Sequence, residues 1–126
     1  MIYGTGIDLV DIRRMTDIIK KWGSRFVTRV FSQGEIDYCN SCAYPALHFA
    51  ARFAAKESFL KSLGTGLGMG VNLREIEVSQ DQFGKPGVML QGRAADILSG
   101  LGIGAVHLSL THTRHSAAAM VILEKV

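Results

Sequence analysis

The spacing of apolar positions divides the chain into alternating strand and helix segments. Residues 2–9 are mostly apolar and are interrupted by Gly4 and Gly6, which predicts a first β-strand. Residues 11–22 repeat apolar side chains at the i, i+3, i+4 and i+7 positions, which is the pattern of an amphipathic helix. Residues 24–31 predict one or two helical turns.

A long helix is predicted over residues 45–63. Pro45 suits the first turn of a helix, and Gly64 suits the left-handed conformation that ends one. The segment is apolar on nearly every face, which indicates that it is buried on most sides. It also carries four charged residues, which need partners or a ligand if they are buried. These are Arg52, Lys56, Glu57 and Lys61. A shorter helix before it begins with a capping box at Ser32 and Glu35.

The second half of the chain predicts a hairpin, a short helix and two further strands. They occupy residues 75–80 and 87–91, residues 92–101, and residues 105–111 and 117–124. The strands cluster late, and the helices lie between them and the first strand. We therefore predict an α+β fold in which a small, mainly antiparallel sheet packs with the long buried helix.

Size and composition indicate one soluble domain spanning residues 1–126. The chain is 48% hydrophobic and 20% charged, and its net charge of +3 favours anionic partners without choosing among them. The N-terminus lacks the basic region of a signal peptide, and the longest apolar run, near residues 117–123, is too short for a membrane helix. We expect a cytoplasmic protein with no membrane partner. Few aromatic residues and no recognised motif argue against a nucleic-acid partner.

Cys39 and Cys42 form a Cys-x-x-Cys pair. A redox or zinc site would need a second cysteine pair or a strand-then-helix context, and the sequence has neither. We expect two reduced and mostly packed thiols.

Asp8 and Glu57 are candidate ligands for one divalent cation. Two carboxylates can hold Mg²⁺ and leave its other positions to phosphate and water. Lys61, one helical turn after Glu57, is placed to neutralise a phosphate. The alternative is structural, with Asp8 as a helix cap and Glu57–Lys61 as an ordinary i, i+4 pair. Asp11 is expected at the helix N-terminus.

Other features also allow a binding and a structural interpretation. The glycine-rich residues 64–70 let a ligand approach the backbone, but they match no nucleotide motif and are otherwise a flexible connection. Lys85, in the turn Gly84-Lys85-Pro86, is a ligand contact or a solvated cation. His112, at a strand end, is a ligand contact or a hydrogen-bonded imidazole. The basic residues within 13–29 form a solvated face or a dock for an acidic protein helix.

Four short motifs occur in order along the chain. They are residues 6–12 (GIDLVDI), 52–66 (RFAAKESFLKSLGTG), 84–86 (GKP) and 107–113 (HLSLTHT). Each motif is modest alone. In this order, and in a chain this short, they resemble the holo-acyl-carrier-protein synthase family, which is the small bacterial type of 4′-phosphopantetheinyl transferase. The resemblance covers essentially the whole length.

The resemblance implies a reaction and an assembly. Members of this family transfer the 4′-phosphopantetheine group of coenzyme A to a serine of apo acyl carrier protein. The reaction depends on Mg²⁺, releases 3′,5′-ADP and serves fatty acid biosynthesis. The family also implies a homotrimer, with coenzyme A in clefts between subunits. The alternative is a non-catalytic coenzyme A or nucleotide-binding module. The intact set of Asp8, Glu57 and Lys61 argues against it, because binding alone does not require a metal at the diphosphate.

The resemblance also implies roles for individual residues. Asp8 and Glu57 are the expected Mg²⁺ ligands, and Glu57 and Lys61 the expected catalytic residues. Glu57, directly or through a water on the metal, is the candidate base, and Lys61 contacts a phosphate oxygen. Arg14 and Arg25 are expected to dock the acidic carrier. The other coenzyme A contacts are assigned to Arg52, Gly64, Lys85, Pro86, His112 and Thr113.

Overall fold

In the computed structural model, helices and strands follow one another largely as the apolar pattern predicts. The structure describes residues 1–64 and 70–126. Its strands are β1 (Ile2–Asp11), β2 (Ile76–Gln80), β3 (Pro86–Leu90), β4 (Ile103–His112) and β5 (Ser116–Lys125). Its helices are α1 (Ile12–Trp22), α2 (Ser24–Val30), α3 (Gln33–Ser41), α4 (Pro45–Leu63) and α5 (Gly92–Gly100), with a 3₁₀ turn at Leu73–Glu75.

Local capping residues set the boundaries of three helices. The Asp11 carboxylate accepts a hydrogen bond from the backbone N–H two residues later and caps α1, as expected. Ser32 and Glu35 form the predicted reciprocal capping box of α3. Helix α4 begins at Pro45 and ends at Gly64, whose φ of 83° is the left-handed conformation that favours glycine.

All strand pairs in the described residues are antiparallel, but they form two sheets. Strands β1, β5 and β4 make one sheet with β5 in the centre, while β2 and β3 make a separate hairpin. Strand β3 packs beside β4 without backbone pairing. Strand periodicity predicts the existence of strands but says nothing about how they are divided between sheets, so the α+β class is confirmed with two small sheets.

Helix α4 lies across the inner face of the three-stranded sheet and contributes to both hydrophobic clusters. The first joins α4 to the strands and α5, and includes Phe59, Ile76 and Val121. The second joins the N-terminal half of α4 to α1, α2 and α3. Its members include Phe31 and Cys39. Both cysteines are free thiols, and burial raises the pKa of Cys39 to about 12.

Two glycines in β1 let that strand lie directly against α4. A methyl group built on Gly4 would overlap the carbonyl oxygen of Ser62, and one built on Gly6 would overlap that of Ser58. The glycines were predicted only as interruptions of a strand. Positions 4, 6 and 8 share one face of β1, so the same close approach carries Asp8 to the side of α4.

A buried ion pair joins α4 to α3. The ammonium group of Lys56 donates to the Glu35 carboxylate at 2.8 Å, to the carbonyl oxygen of Leu73 at 2.9 Å and to that of Ile76. Both charged side chains are fully buried. Glu35 also accepts the backbone N–H of Val78 at 2.9 Å, so the pair ties α3, α4 and β2 together.

Among residues 1–64 and 70–126, no helix is long and apolar enough to cross a lipid bilayer.

The contact between β1 and α4 predicts a large difference between two glycine substitutions. Gly6→Ala should lower the free energy of unfolding by about 3 kcal/mol, because a methyl group has no space beside the helix backbone. Gly87→Ala is the matched control, since nothing lies within 4 Å of a methyl group at that strand position. It should change stability by less than about 0.5 kcal/mol. Urea denaturation of both variants checks this, and equal stabilities would contradict it.

Candidate functional site

An acidic pair lies on the flank of α4 that faces β1. Asp8 lies inside β1, where it is paired with Ala119 of β5. Its Oδ1 is 2.9 Å from Nζ of Lys61 on α4. Lys61 also donates to the carbonyl oxygen of Ile7 at 3.0 Å. The structural alternative for these residues is therefore wrong on two points. Asp8 does not cap α1, which is capped by Asp11, and Lys61 forms its ion pair with Asp8.

Glu57 is the second member of the acidic pair. Partial burial raises the pKa of Glu57, the negative charge of Asp8 raises it further, and the positive charge of Lys61 opposes both. Two carboxylates close enough to repel one another, with one ammonium group between them, favour an additional cation. The described residues contain no group of three or more histidine, cysteine or acidic side chains that could enclose a metal. A pair of carboxylates could hold an ion such as Mg²⁺, which takes its other ligands from phosphate and water.

A cationic pocket of about 420 Å³ lies on the other flank of α4. It is bounded by the N-terminal half of α4, the β2–β3 turn and the end of β4. Arg52, Lys85, Pro86 and His112, four of the residues assigned to coenzyme A, line this one cavity. We call it the anion pocket.

Arg52 is the most informative residue of the anion pocket. It is only 2% exposed, and its Nε is buried without a hydrogen-bond partner in the described structure. The guanidinium group makes a cation–π contact with the ring of Tyr38, and its central carbon lies 4.4 Å from the ring centroid. A buried guanidinium without an acidic partner is costly, and its five donors suit a phosphate or carboxylate ligand.

The turn that carries Lys85 is held by a neighbouring carboxylate. Oδ1 of Asp81 accepts the backbone N–H groups of Phe83 at 2.8 Å and of Lys85 at 2.9 Å. The backbone of Asp81 also bonds to that of Lys85 and Gly84. These bonds fix the turn, while the side chain of Lys85 remains exposed beside the pocket.

Two histidines contribute to the electrostatics of the anion pocket. Burial lowers the pKa of His48, and the charges of Arg52 and His112 lower it further. His48 therefore favours the neutral imidazole close to neutral pH, while Arg52 and Lys85 supply the positive charge. His112 ends β4, as predicted, and is exposed at the mouth of the pocket.

The structure does not bring every assigned residue into these two places. Thr113 lies with His112 beside an adjoining cavity of about 960 Å³, and its Oγ1 accepts backbone N–H groups of the β4–β5 turn. Gly64 caps α4 beyond Lys61. The glycine-rich residues 65–69 lie outside the described part of the chain. Arg25 lines a separate groove of about 430 Å³, and Arg14 lies on α1.

The acidic pair and the anion pocket occupy opposite flanks of the same helix. Arg52 and Lys61 are nine residues apart, as are His48 and Glu57, and nine residues make two and a half turns of an α-helix. Asp8 is on β1 and His112 on β4, which are the two edges of the three-stranded sheet. One subunit therefore presents the two charged regions in different directions.

Sequence patterns do not identify all the residues around the anion pocket. Tyr38, His48 and Gln80 lie at or beside it, and only His48 carried a signal, as an imidazole within an apolar helix. Asp81 could have been found from the Asp-x-x-Gly spacing of its turn. Tyr38 lies on α3 and meets α4 only through the tertiary fold, so no local pattern points to it.

The chain is similar to known proteins over nearly its whole length. The model of the 4′-phosphopantetheinyl transferase superfamily matches residues 4–117. The holo-[acyl-carrier-protein] synthase of Syntrophus aciditrophicus (strain SB) is 57% identical over 124 residues, covering 98% of this chain and 97% of that protein.

Solved structures give the same result. The crystal structure of holo-[acyl-carrier-protein] synthase from Neisseria meningitidis superposes with a TM-score of 0.93 at 35% identity, covering 99% of this chain and 100% of that one. The holo-(acyl-carrier-protein) synthase from Bacillus anthracis, in complex with CoA (3′,5′-ADP), has a TM-score of 0.83 at 32% identity, covering 100% of this chain and 99% of that one. The chain therefore belongs to the 4′-phosphopantetheinyl transferase superfamily, and the relatives that it matches over nearly their whole length are holo-[acyl-carrier-protein] synthases.

Proposed function

We propose that this protein transfers the 4′-phosphopantetheine group of coenzyme A to a serine of apo acyl carrier protein and releases 3′,5′-ADP. The observation that carries the proposal is the pair Asp8 and Glu57, joined to Lys61 on the flank of α4. Two carboxylates at one place suit a divalent cation that also binds a diphosphate, and coenzyme A supplies a diphosphate. The names of the relatives support the same reaction.

The residues of the acidic pair have distinct roles in the proposed transfer. Mg²⁺, held by Asp8 and Glu57, would supply positive charge to the diphosphate oxygens as negative charge develops on them. Lys61 neutralises a phosphate oxygen from the same flank. Glu57 is the candidate base that accepts the proton of the serine hydroxyl, directly or through water.

The bond changes of the transfer balance without a further reactant. The serine oxygen attacks the phosphorus that carries the pantetheine arm, and a new oxygen–phosphorus bond forms. The bond from that phosphorus to the bridging oxygen breaks, and 3′,5′-ADP leaves with the electron pair. The serine proton passes to Glu57, directly or through water. The phosphopantetheine arm ends on the carrier.

The anion pocket suits the nucleotide end of coenzyme A. Arg52 is buried without an acidic partner in the described structure, Lys85 is fixed on its turn, and His112 lies at the mouth. This set matches a phosphate that bears two negative charges better than it matches a neutral ribose. We assign it to the 3′-phosphate, with Pro86 and Thr113 as neighbouring contacts.

The two charged regions on opposite flanks of α4 support a site that is shared between copies of the chain. If one flank of each subunit faces the other flank of its neighbour, the contact is head-to-tail, and such contacts form a ring when the rotation between neighbours closes. The outer face of the sheet offers an apolar surface for this purpose. Ile7 is 67% exposed, Leu9 70% and Met120 42%, and Ile7 and Met120 are cross-strand partners. We infer a homotrimer in which one subunit supplies the acidic pair and its neighbour the anion pocket.

The carrier is expected to bind along α1 and α2. A groove of about 430 Å³ there is lined by Trp22, Arg25, Phe26, Arg29 and Val30. It combines cations with exposed apolar surface, which suits an acidic amphipathic helix. Arg14 lies on the preceding α1 helix and extends the positive charge.

The transfer reaction can be tested directly with isosteric variants. The wild-type protein, incubated with coenzyme A, Mg²⁺ and apo carrier, should increase the carrier mass by that of one phosphopantetheine arm. Asp8→Asn and Glu57→Gln should each reduce the rate on the order of a thousandfold, because the diphosphate loses its bound cation. Mg²⁺ should raise the melting temperature of the wild type and not of either variant. Binding of coenzyme A without any mass gain would instead identify a non-catalytic module, and wild-type rates in the variants would remove the metal role.

Shared sites predict that two impaired variants restore one another. Asp8→Asn lacks the acidic pair, and Arg52→Leu should bind coenzyme A at least about tenfold more weakly. When both chains are co-expressed at equal levels, about one interface in four combines an intact flank from each subunit. Transfer at limiting coenzyme A should therefore recover to about a quarter of the wild-type rate. Activity no higher than that of the separate variants would place each site within one subunit.

The proposed dock predicts a selective effect of charge reversal. Arg14→Glu and Arg25→Glu should raise KM for the carrier about tenfold and leave KM for coenzyme A unchanged, because only the carrier meets this surface. The salt dependence of KM for the carrier should also weaken. Lys125→Glu, at the opposite end of the sheet, is the control for net charge. Equal changes in both KM values would refute the dock.

A further inference from the structure

The aromatic ring of Tyr38 forms a cation–π contact with the Arg52 guanidinium. The two lie 4.4 Å apart, with Tyr38 on α3 and Arg52 on α4. Attraction between a guanidinium and an aromatic face is strongest where both are shielded from water, and Arg52 is 2% exposed. A planar group lying on a ring loses rotational freedom, so its remaining edge points in a defined direction.

Two further contacts hold the Tyr38 ring, and a buried ion pair lies one turn away. Its hydroxyl donates to Oε1 of Gln80 at 3.2 Å, and Gln80 pairs with Pro86 beside the Lys85 turn. Its ring meets that of His48 edge-on, with centroids 5.7 Å apart. One turn before it on α3, Glu35 forms the buried ion pair with Lys56, which lies one turn after Arg52 on α4. The same two turns of α3 and α4 therefore carry the ion pair and the ring–guanidinium contact.

The surroundings of Arg52 show what the ring prevents. A second cavity, of about 390 Å³, borders both Tyr38 and Arg52, and Glu77 and Asp81 line it. Neither carboxylate forms an ion pair with Arg52 in the described structure, although each would attract a mobile guanidinium. Arg52 also lines the anion pocket, so a guanidinium held against the ring and unpaired with these carboxylates is available to a ligand there.

We propose that Tyr38 is a positioning residue for Arg52 and sets the preference of the anion pocket for a ligand that carries a terminal phosphate. The inference rests on the proposed function, because that function identifies the phosphate as the 3′-phosphate of coenzyme A. Tyr38 touches no reacting atom. It acts by keeping the guanidinium turned to the pocket and away from Glu77 and Asp81.

The test compares coenzyme A with 3′-dephospho-coenzyme A as substrates. Tyr38→Leu should raise KM for coenzyme A about tenfold, as expected for the loss of the cation–π contact and the misdirection of Arg52. It should leave KM for the dephospho substrate and both kcat values within about twofold of wild type. Tyr38→Phe keeps the ring and loses only the bond to Gln80, so it should retain most of the preference for coenzyme A.

The controls separate this inference from the proposed function. If Tyr38 has a purely structural role, Tyr38→Leu would raise KM for both substrates alike. That result, or an unchanged KM for coenzyme A in Tyr38→Leu, overturns the inference. The dephospho substrate also reports that the variant is folded, and Tyr38 is 37% exposed. Arg52→Leu should lose the preference in every case. If Arg52→Leu keeps it, the assignment of the anion pocket fails. If Arg52→Leu loses the preference for coenzyme A and Tyr38→Leu keeps it, the assignment of the anion pocket stands and only the role of Tyr38 fails.

Discussion

The buried ion pair between Lys56 and Glu35 is the interaction on which the arrangement of the site depends. Each partner is removed from water, and such a pair is stable only when the other donors and acceptors are also satisfied. Here Lys56 also donates to two carbonyl oxygens, and Glu35 also accepts two backbone N–H groups. Burial lowers the pKa of Lys56, and the charge and hydrogen bond of Glu35 oppose that shift. Because six groups must meet at one point, α3, α4 and β2 have little freedom to slide.

That constraint acts together with the close packing of β1. The glycines at positions 4 and 6 bring one strand against the C-terminal half of α4, and the ion pair brings α3 and the hairpin against its N-terminal half. The helix is therefore fixed on both flanks. Each flank then displays a separate charged region, the acidic pair beside β1 and the anion pocket beside β4. In the assembly proposed above, this arrangement lets a chain of 126 residues supply two different parts of a site to two neighbours.

The sequence predicts features that depend on local chemistry and misses those that depend on tertiary packing. The helix boundaries at Pro45, Gly64, Asp11 and the capping box depend on residues within one helical turn, so the sequence predicts them directly. The family that four motifs predicted was confirmed by comparison with known proteins. The charge of Lys56 on an apolar helix signalled that a partner was needed, but not that the partner is Glu35, 21 residues earlier on another helix. The glycines of β1 had no visible purpose until the helix lay against them. The division into two sheets and the role of Tyr38 likewise depend on how the elements pack.

Neighbouring residues of α4 show how structural and functional charges can be told apart. Lys56 and Glu57 are adjacent in sequence, and a step of about 100° around the helix separates them. Lys56 is fully buried and has three hydrogen bonds, so its charge is used entirely within the fold. Glu57 is partly buried near a like charge, and its pKa is raised because neither burial nor Asp8 favours its ionised form. Arg52 is buried and has no acidic partner in the described structure. Charges that the fold leaves uncompensated are those that a ligand must compensate. On this helix they are the Glu57 carboxylate, which together with Asp8 of β1 suits a metal, and the Arg52 guanidinium, which suits a phosphate.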